Sequence, residues 1–418
     1  MEKMVIEGGR RLSGAVTAGG AKNAALPLLF ATLLTDEPCR LTGVPEVADI
    51  NTAVRLLESL GARVERPAPG EVVVDASGVC EFEAPYDLVR TMRASFLALG
   101  PLVARFGKAR VSTPGGCAIG SRPVDVHVAA LERLGARVRQ EGGYVDARAK
   151  RLKGAHAILS VPSVGATENL LMSAALADGT TRIENAAREP EIVDLADALR
   201  KMGARIDGDG GAVVEVEGVE RLGGFEHRVV ADRIVAGTYL LAGAITGGEV
   251  RVRDAVGDHL GLLVDAMRAA GCRVDTEGEG VAASLEGRPK PVNVRTAPHP
   301  GFATDLQAQF MALMAVADGT AIVDERIFEN RFMHVQELAR MGAEIRLVGH
   351  RAFVRGRERL SGAPVMATDL RASVCLVLAG LAAEGTTEVL RIYHLDRGYQ
   401  HLDERLRELG GEVRREQA

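Results

Sequence analysis

The stretch PGGCAIGSRPVD, residues 114–125, sets a lone thiol, Cys117, between Gly115-Gly116 and Gly120, with Arg122 close behind. Glycines let backbone amides come close to a ligand, and an arginine offers a fixed fork for phosphate or carboxylate. Positive charge nearby lowers a cysteine's pKa below its free value of about 8.5. Such a thiol could give or take a proton, or attack carbon. An idle loop cysteine has the same composition, so the thiol alone decides nothing.

Other residues able to do chemistry are spread along the chain. In GGAKNAALPLLFA, Lys22 and Asn23 stand directly before an apolar helical run. A lysine there opposes the helix dipole and needs solvent or an anion, and the first amides of the helix favour the anion. YDLVRTMRASFLALGPL puts Arg93 on a predicted helix. In SVPSVGATEN, Ser163, Val164 and Gly165 precede a helix and could offer a hydroxyl and amides to a phosphate, while Arg188, Glu189 and Glu191 in NAAREPEIVD could simply pair across a surface. Asp305, in GFATDLQAQF, reads as a helix N-cap. ERIFENRFMHV packs Glu329, Asn330, Arg331 and His334 into one excursion. Arg371 stands at the mouth of a helix, and RIYHLDRGY brings Arg391, His394, Asp396 and Arg397. Cations from both halves, one thiol and one carboxylate, with no metal-ligand spacing and no Walker-type loop, suit a polyanionic ligand closed between two lobes.

The elements that must position these residues repeat. LESLGARVE, LERLGARVR, LRKMGARID, MRAAGCRVD, LARMGAEIR and LRELGGEVR share one pattern, with central glycines at 61, 135, 203, 271, 342 and 410. Each reads as the last turns of a helix, a glycine suited to a left-handed C-cap, then a short alternating strand. Upstream of most copies an Ala/Leu-rich helix ends at an acidic-glycine turn, as in LADGTTRIENAA and VADGTAIVDERI, and a strand follows. The period near 70 residues exceeds the roughly 20–50 of common solenoids. Single copies cannot bury both faces of their helices, so the pattern predicts an α/β protein of two similar domains, three units each, helices inward and sheets outward.

Composition agrees with a globular chain: 418 residues, 47% hydrophobic, 26% charged, net charge −5. No basic block exists to track nucleic acid. The opening MEKMVIEGGRRLSG does not read as a signal peptide, and runs such as LVLAGLAA are too short for a membrane span of roughly 18 residues. Five scattered cysteines without a CxxC pair argue for a reduced, cytoplasmic chain lacking a structural zinc site.

GGAKNAALPLLFA, PYDLVRTMRAS, PGGCAIGSRPVD, SVGATEN, NAAREPEIVD, NVRTAPHPGFATDLQAQF, ENRFMH, MATDLRAS and RIYHLDRGY resemble, in order and from end to end, the motifs of the enolpyruvyl transferases that act on UDP-N-acetylglucosamine. The resemblance implies a two-domain inside-out α/β barrel, each domain three βαβαββ repeats. Residues 22–229 would form the first domain, residues 1–21 with 230–418 the second, and the active site would lie in the cleft between them. Cys117 matches the loop cysteine that adds to phosphoenolpyruvate and is alkylated by fosfomycin. Lys22, Arg122 and Arg397 match the cations around phosphoenolpyruvate, with Asn23 beside them. Arg93, Arg122, Pro123, Val124, Asp125, Val126, Ser163, Val164, Asp305 and Ile327 match positions on the UDP-sugar, and Arg371 is counted with the substrate-binding residues. Val161 and Pro162 stand where some members carry a lysine and a valine, so only backbone contact is implied there; Ala303 replaces a proline. The implied catalytic set is Cys117, Asp305, Lys22 and Arg397, with no cofactor and no metal.

The implied reaction protonates the methylene carbon of phosphoenolpyruvate, lets the sugar 3-hydroxyl attack, and expels phosphate from the tetrahedral adduct, which needs one acid and one base. Asp305 would take the hydroxyl proton and Cys117 would deliver one. The same fold also carries transfer to shikimate 3-phosphate, against which the cysteine loop and the segment 122–126 argue. A non-catalytic UDP-sugar binder would have lost Cys117, Lys22, Asp305 or Arg397, and all four are present.

Overall fold

The computed structural model describes residues 2–113 and 124–417. Cys117, Arg122 and Pro123 therefore lie outside the described residues. The described residues divide into two compact units: those up to 19 together with those from 231 onward, and those between 20 and 230. The chain crosses between units at 19–20 and 230–231, where the sequence reading put 21–22 and 229–230. The two ends of each unit are hydrogen-bonded: Ala21 N donates to Val230 O (2.7 Å) in one, Asp232 N to Gly19 O (2.8 Å) in the other.

The described residues form six four-stranded sheets. One repeat shows the plan. Strand His156–Ile158 leads into helix Val164–Ala174, then strand Thr180–Glu184, helix Pro190–Lys201 and the hairpin Arg205–Asp207 and Val213–Glu217. The first two strands pair in parallel, with Ala157 opposite Ile183, and the hairpin adds antiparallel, with Ile183 opposite Val214. Alternate residues of the sheet, Ile183, Val214 and Val216, are fully buried while their neighbours Arg182 and Glu215 face outward, the period of a sheet covered on one side.

Two kinds of helix result. The outer kind is amphipathic: in Ala48–Ser59 the buried Ile50, Ala53, Leu56 and Leu57 recur at helical spacing. The inner kind is buried on every side. Lys22–Ala31, Leu99–Phe106 and Val164–Ala174 serve one unit; Arg233–Ile245, Gln307–Met314 and Val374–Ala382 serve the other. Their Ala and Leu content lets three helices approach closely inside a ring of three sheets. After each outer helix stands the repeat glycine, Gly61, Gly135, Gly203, Gly271, Gly342 or Gly410, each with φ between 86° and 105°. A side chain there would cost roughly 1–2 kcal/mol, so the motif is a chain-reversal requirement written six times.

Each unit is completed by a strand from far along the sequence. Glu226–Arg228 pairs in parallel with Cys39–Thr42. In the other unit Ser13–Val16 pairs in parallel with Glu249–Val252, and Glu2–Glu7 lies between Thr386–Leu390 and Glu412–Gln417, antiparallel to both. Ile6 faces the core and is wholly buried. Ile6→Ala should therefore cost about 2–5 kcal/mol in urea unfolding, whereas Lys3→Ala, on the outward face with Glu388 at 2.9 Å, should change stability by no more than about 1 kcal/mol.

Candidate active site

In the unit of residues 20–230, Lys22 opens the inner helix Lys22–Ala31 and is only 7% exposed. The anion that its position calls for is supplied by Asp49, whose Oδ2 lies 3.1 Å from Nζ. Asp49 sits in the first turn of the helix Ala48–Ser59, where a helix dipole favours negative charge. Breaking such a buried pair from one side costs about 3–5 kcal/mol. Asn23 follows on the same helix, half-buried.

Three of the segments that the sequence assigned to the UDP-sugar meet at His127. Arg93 begins the short 3-10 turn Arg93–Ala98, not the regular helix expected. Val124 precedes the helix Asp125–Arg133, whose third residue is His127, and Asp125 is exposed at its start. Ser163 caps Val164–Ala174, its Oγ accepting from Ala166 N at 3.4 Å, with Val161 exposed and Pro162 half-buried just before it. His127 Nδ1 is 2.8 Å from Asn169 Nδ2, on the Ser163 helix, and its ring stands edge-on to Phe96, on the Arg93 turn, at 5.1 Å. Asn169 Oδ1 accepts from Gly100 N, so its amide nitrogen must face the ring and Nδ1 acts as acceptor. The helices approach so closely that a Cβ at Gly165 would fall 3.1 Å from His127 Cε1. Arg188, by contrast, spends its Nε on Gly210 O at 3.1 Å.

In the other unit, Asp305 lies within the turn Thr304–Leu306 ahead of the helix Gln307–Met314, and its side chain is not the N-cap that the sequence suggested. Arg331 Nη1 holds it instead, 2.7 Å from Oδ1. The same nitrogen donates to Thr304 Oγ1 at 3.0 Å, and Thr304 Oγ1 donates to Glu325 Oε2 at 2.8 Å. Glu325 Oε1 accepts from Ile327 N at 2.8 Å. Asp305 and Ile327, predicted to touch the same sugar, are thus joined by one partly buried hydrogen-bonded chain.

Arg397 ends the 3-10 segment Ile392–Arg397 and is half-buried. Two residues in the left-handed region, Arg391 (φ 58°) and His401 (φ 49°), bracket it. Arg371 is placed unlike the other predicted cations: 1% exposed, its Nη1 donating to Gly398 O at 2.6 Å and its Nη2 2.7 Å from Asp232 Oδ2. It grips the backbone immediately after Arg397. Burial works against its charge, and Asp232, Tyr399 and Asp305 overcome that, leaving its pKa raised.

Asp49, Asp232, Glu325 and Asp369 escaped the sequence reading. Asp232 left a local trace, as an aspartate directly before an apolar helix that accepts from Ile234 N and Val235 N, and Asp369, which accepts from Arg371 N and Ala372 N, left a similar one. Asp49 meets Lys22 and Glu325 meets Thr304 across longer sequence separations. Among the described residues no group of three His, Cys, Asp or Glu side chains could hold a metal ion, and no helix is long and apolar enough to cross a membrane.

The family model described as EPSP synthase (3-phosphoshikimate 1-carboxyvinyltransferase) matches residues 6–406. The chain belongs to this family of enolpyruvyl transferases. Within it, the chain is 54% identical to a protein named UDP-N-acetylglucosamine 1-carboxyvinyltransferase from Geotalea uraniireducens, over 100% of both chains, and 55% identical to one of the same name from Serratia proteamaculans, over 99% of both. Among solved structures it is similar to the enolpyruvyl transferase NikO from Streptomyces tendae, with TM-score 0.89, 27% identity and coverage of 100% of this chain and 99% of that one. EPSP synthase from Acinetobacter baumannii shares the fold at TM-score 0.78 and 18% identity, over 100% of both chains. The architecture is the inside-out α/β barrel of these transferases, and the six sheets counted above are its six repeats.

Two buried imidazoles give the structure a pH signature. Burial, and next the charge of Arg93, pushes His127 down to about 4. Burial, opposed by Asp369 and aided by Arg331, brings His334 to about 4 as well. Both are neutral in the fold, while an unfolded histidine takes up a proton below about 6.5. Stability from these rings is fully present above that pH and is lost as pH falls toward 4. Urea midpoints should drop across this window, and His334→Gln should flatten the slope; parallel slopes for variant and parent would exclude a neutral buried ring.

Proposed function

We infer that the chain transfers the enolpyruvyl group of phosphoenolpyruvate to the 3-hydroxyl of UDP-N-acetylglucosamine, releasing phosphate, the first committed step of peptidoglycan synthesis. The observation that carries this reading is identity of 54–55% over essentially the whole chain to proteins named for that acceptor. The family model takes its name from a different acceptor, so acceptor choice is what an experiment must decide.

Lys22, with Asn23, and Arg122 and Arg397 neutralise the phosphate and carboxylate of phosphoenolpyruvate as charge redistributes. The pairing of Lys22 with Asp49 keeps the ammonium in place without substrate. Arg93, Arg122, Pro123, Val124, Asp125 and Val126, the backbone at Val161 and Pro162, and Ser163 and Val164 hold the nucleotide; the meeting of three of these segments at His127 supports that grouping. Ile327 and Asp305 face the sugar, and Asp305 accepts the proton of the 3-hydroxyl as oxygen attacks. Cys117 delivers the proton to the methylene carbon, and the methyl group so formed gives up a proton as phosphate leaves, which restores the double bond. The geometry of Arg371 supports a role in holding Arg397, not in touching the ligand. Four free thiols among the described cysteines fit a reducing, cytoplasmic location.

Phosphate release should be rapid with phosphoenolpyruvate plus UDP-N-acetylglucosamine and absent with shikimate 3-phosphate; the opposite preference would overturn the reading. Asp305→Ala should lower turnover by about 100- to 10,000-fold while substrate binding changes far less, measured as kcat against equilibrium binding of the sugar nucleotide. Fosfomycin should label Cys117 and no other cysteine, faster with UDP-N-acetylglucosamine present. Burial pushes the Cys39 thiol up to about 12 and Cys272 to about 11, and raises Cys375, so only Cys80, which is exposed, competes. Peptide mass mapping that finds the label on Cys80 would remove Cys117 from its role.

A further inference from the structure

The outward face of one sheet carries a cluster of charge that the proposed reaction does not use. In the sheet of Val294–Arg295, Thr320–Asp324, Arg351–Arg355 and Glu344–Val348, Arg295 stands opposite Asp324 in the parallel pairing and Arg351 stands opposite Asp324 in the antiparallel one. The three side chains lie abreast in one row, on strands roughly 4.8 Å apart. Arg326 reaches the same carboxylate from two residues further along the chain. Its Nε is 2.7 Å from Asp324 Oδ1, while Arg295 Nε is 3.3 Å and Arg351 Nε 3.5 Å from Oδ2. Asp324 is 4% exposed, and all three arginines are exposed. Burial works against the charge of Asp324, and Arg326, Arg351 and Arg295 outweigh it, holding the carboxyl below its ordinary range.

One carboxylate neutralises one arginine, and here three share it. Among the described residues Arg295, Arg326 and Arg351 have no other carboxylate partner, and the terminal nitrogens of Arg295 and Arg351 make no hydrogen bond. The neighbouring rows do not relieve the surplus. Arg346 lies over the Phe353 ring at 5.2 Å, and Glu344 is taken by Arg355 and Arg357, each at 3.3 Å. Arg295, Arg326, Arg346, Arg351 and Arg355 thus face Asp324 and Glu344 alone, five cations to two anions, in a chain whose net charge is −5.

Exposed ion pairs add little to stability, and cations drawn to one point repel each other. What the cluster supplies is donors, because a guanidinium fork matches a phosphate with two hydrogen bonds at once. Charge selects the ligand further. Three arginines less one aspartate leave two positive charges, which a phosphate monoester, carrying about −1.5 to −2, balances and a single carboxylate does not. The backbone under the donors is also fixed in advance. Arg326 N donates to Thr296 Oγ1 at 2.8 Å, Thr296 Oγ1 donates to Glu325 Oε1 at 2.9 Å, and Ile327 N donates to the same oxygen at 2.8 Å. The segments carrying Arg295 and Arg326 are therefore stitched together, which lowers the ordering cost of binding.

We propose that Arg295, Arg326 and Arg351 form a binding site for a phosphate monoester group, carried by a small soluble molecule or by a lipid headgroup, outside the set of residues assigned to the reaction.

Equilibrium dialysis of the full chain against radiolabelled inorganic phosphate tests it, at about 0.15 M salt, where charges more than about 8 Å away are screened. The doubly substituted Arg295→Gln, Arg351→Gln chain should bind this phosphate at least about tenfold more weakly, the equivalent of one charge-assisted hydrogen bond. Arg355→Gln, on the same face but paired with Glu344, should bind as the parent does. Phosphate held by Lys22, Arg122 and Arg397 would be common to all three proteins, so the comparison stands whether or not the proposed reaction does. A second arm distinguishes the sources: pelleting with phosphatidic acid vesicles and not with phosphatidylcholine vesicles, abolished by the double substitution, assigns the headgroup, and phosphate binding without pelleting assigns a soluble ligand. Equal phosphate binding by the parent and the double variant with no such pelleting, or an equal loss in Arg355→Gln, would overturn the site. Should the double variant lose its cooperative thermal transition, Arg351→Gln alone takes its place, since Arg351 makes no side-chain hydrogen bond among the described residues.

Discussion

Six helices in this molecule have no polar face, and that constraint governs where chemistry can occur. A helix surrounded on all sides by other helices and sheets can offer polar groups to a ligand at its ends, while those along its length, such as Asn169, are spent inside the fold. Several residues of the proposed site and their supports are found there. Lys22 opens its helix, Arg93 begins the turn that runs into Leu99–Phe106, and Ser163 caps Val164–Ala174. Asp232 caps Arg233–Ile245, Asp305 is in the turn before Gln307–Met314, and Arg371 precedes Val374–Ala382. Every inner helix thus starts at one of these residues. The start of a helix is also where unsatisfied amides and the dipole favour anions, and the substrates proposed here carry phosphates and a carboxylate.

The cations at those positions are restrained before any ligand arrives. Lys22 has Asp49, Arg371 has Asp232, and Arg331 has Asp305 on one side and Asp369 on the other. Each carboxylate lowers the cost of burying its cation and fixes where the charge points. Electrostatic stabilisation of a reacting anion is strongest when the protein's charges need not reorganise, and the buried pairs supply that rigidity. The two left-handed residues around Arg397 are the exception to this calm: Arg391 and His401 hold backbone shapes that side chains disfavour, each at about 1–3 kcal/mol. Gly398 O, taken by Arg371, is one of the contacts that maintain them.

Much of this was legible in the chain. The sixfold repeat could be read because a left-handed residue after each outer helix demands glycine, and the demand recurs at Gly61, Gly135, Gly203, Gly271, Gly342 and Gly410. The inner helices were legible as Ala/Leu runs too long and too apolar for a surface. The partners were not. Asp49 lies 27 residues from Lys22, and Asp232 lies 139 from Arg371, and no local pattern announces which carboxylate will meet which cation. Asp305 was misread as a cap because an aspartate before a helix usually is one; here Arg331, noted in the sequence only as part of a charged excursion, takes its Oδ1. His127 gave no signal at all, since one histidine on an amphipathic helix looks like any other.

The strand Glu2–Glu7 is synthesised long before the strands it pairs with. Its neighbours in the sheet are Thr386–Leu390 and Glu412–Gln417, so some 380 residues must be synthesised before it has a place, about 20–80 s at ordinary elongation rates. The unit of residues 20–230 contains all the strands of its own three sheets and can close during that wait. The segment Met4-Val5-Ile6, wholly inside in the finished molecule, meanwhile has no sheet to join. In the growing chain, that apolar strand is an edge awaiting its neighbours until Thr386–Leu390 and Glu412–Gln417 emerge.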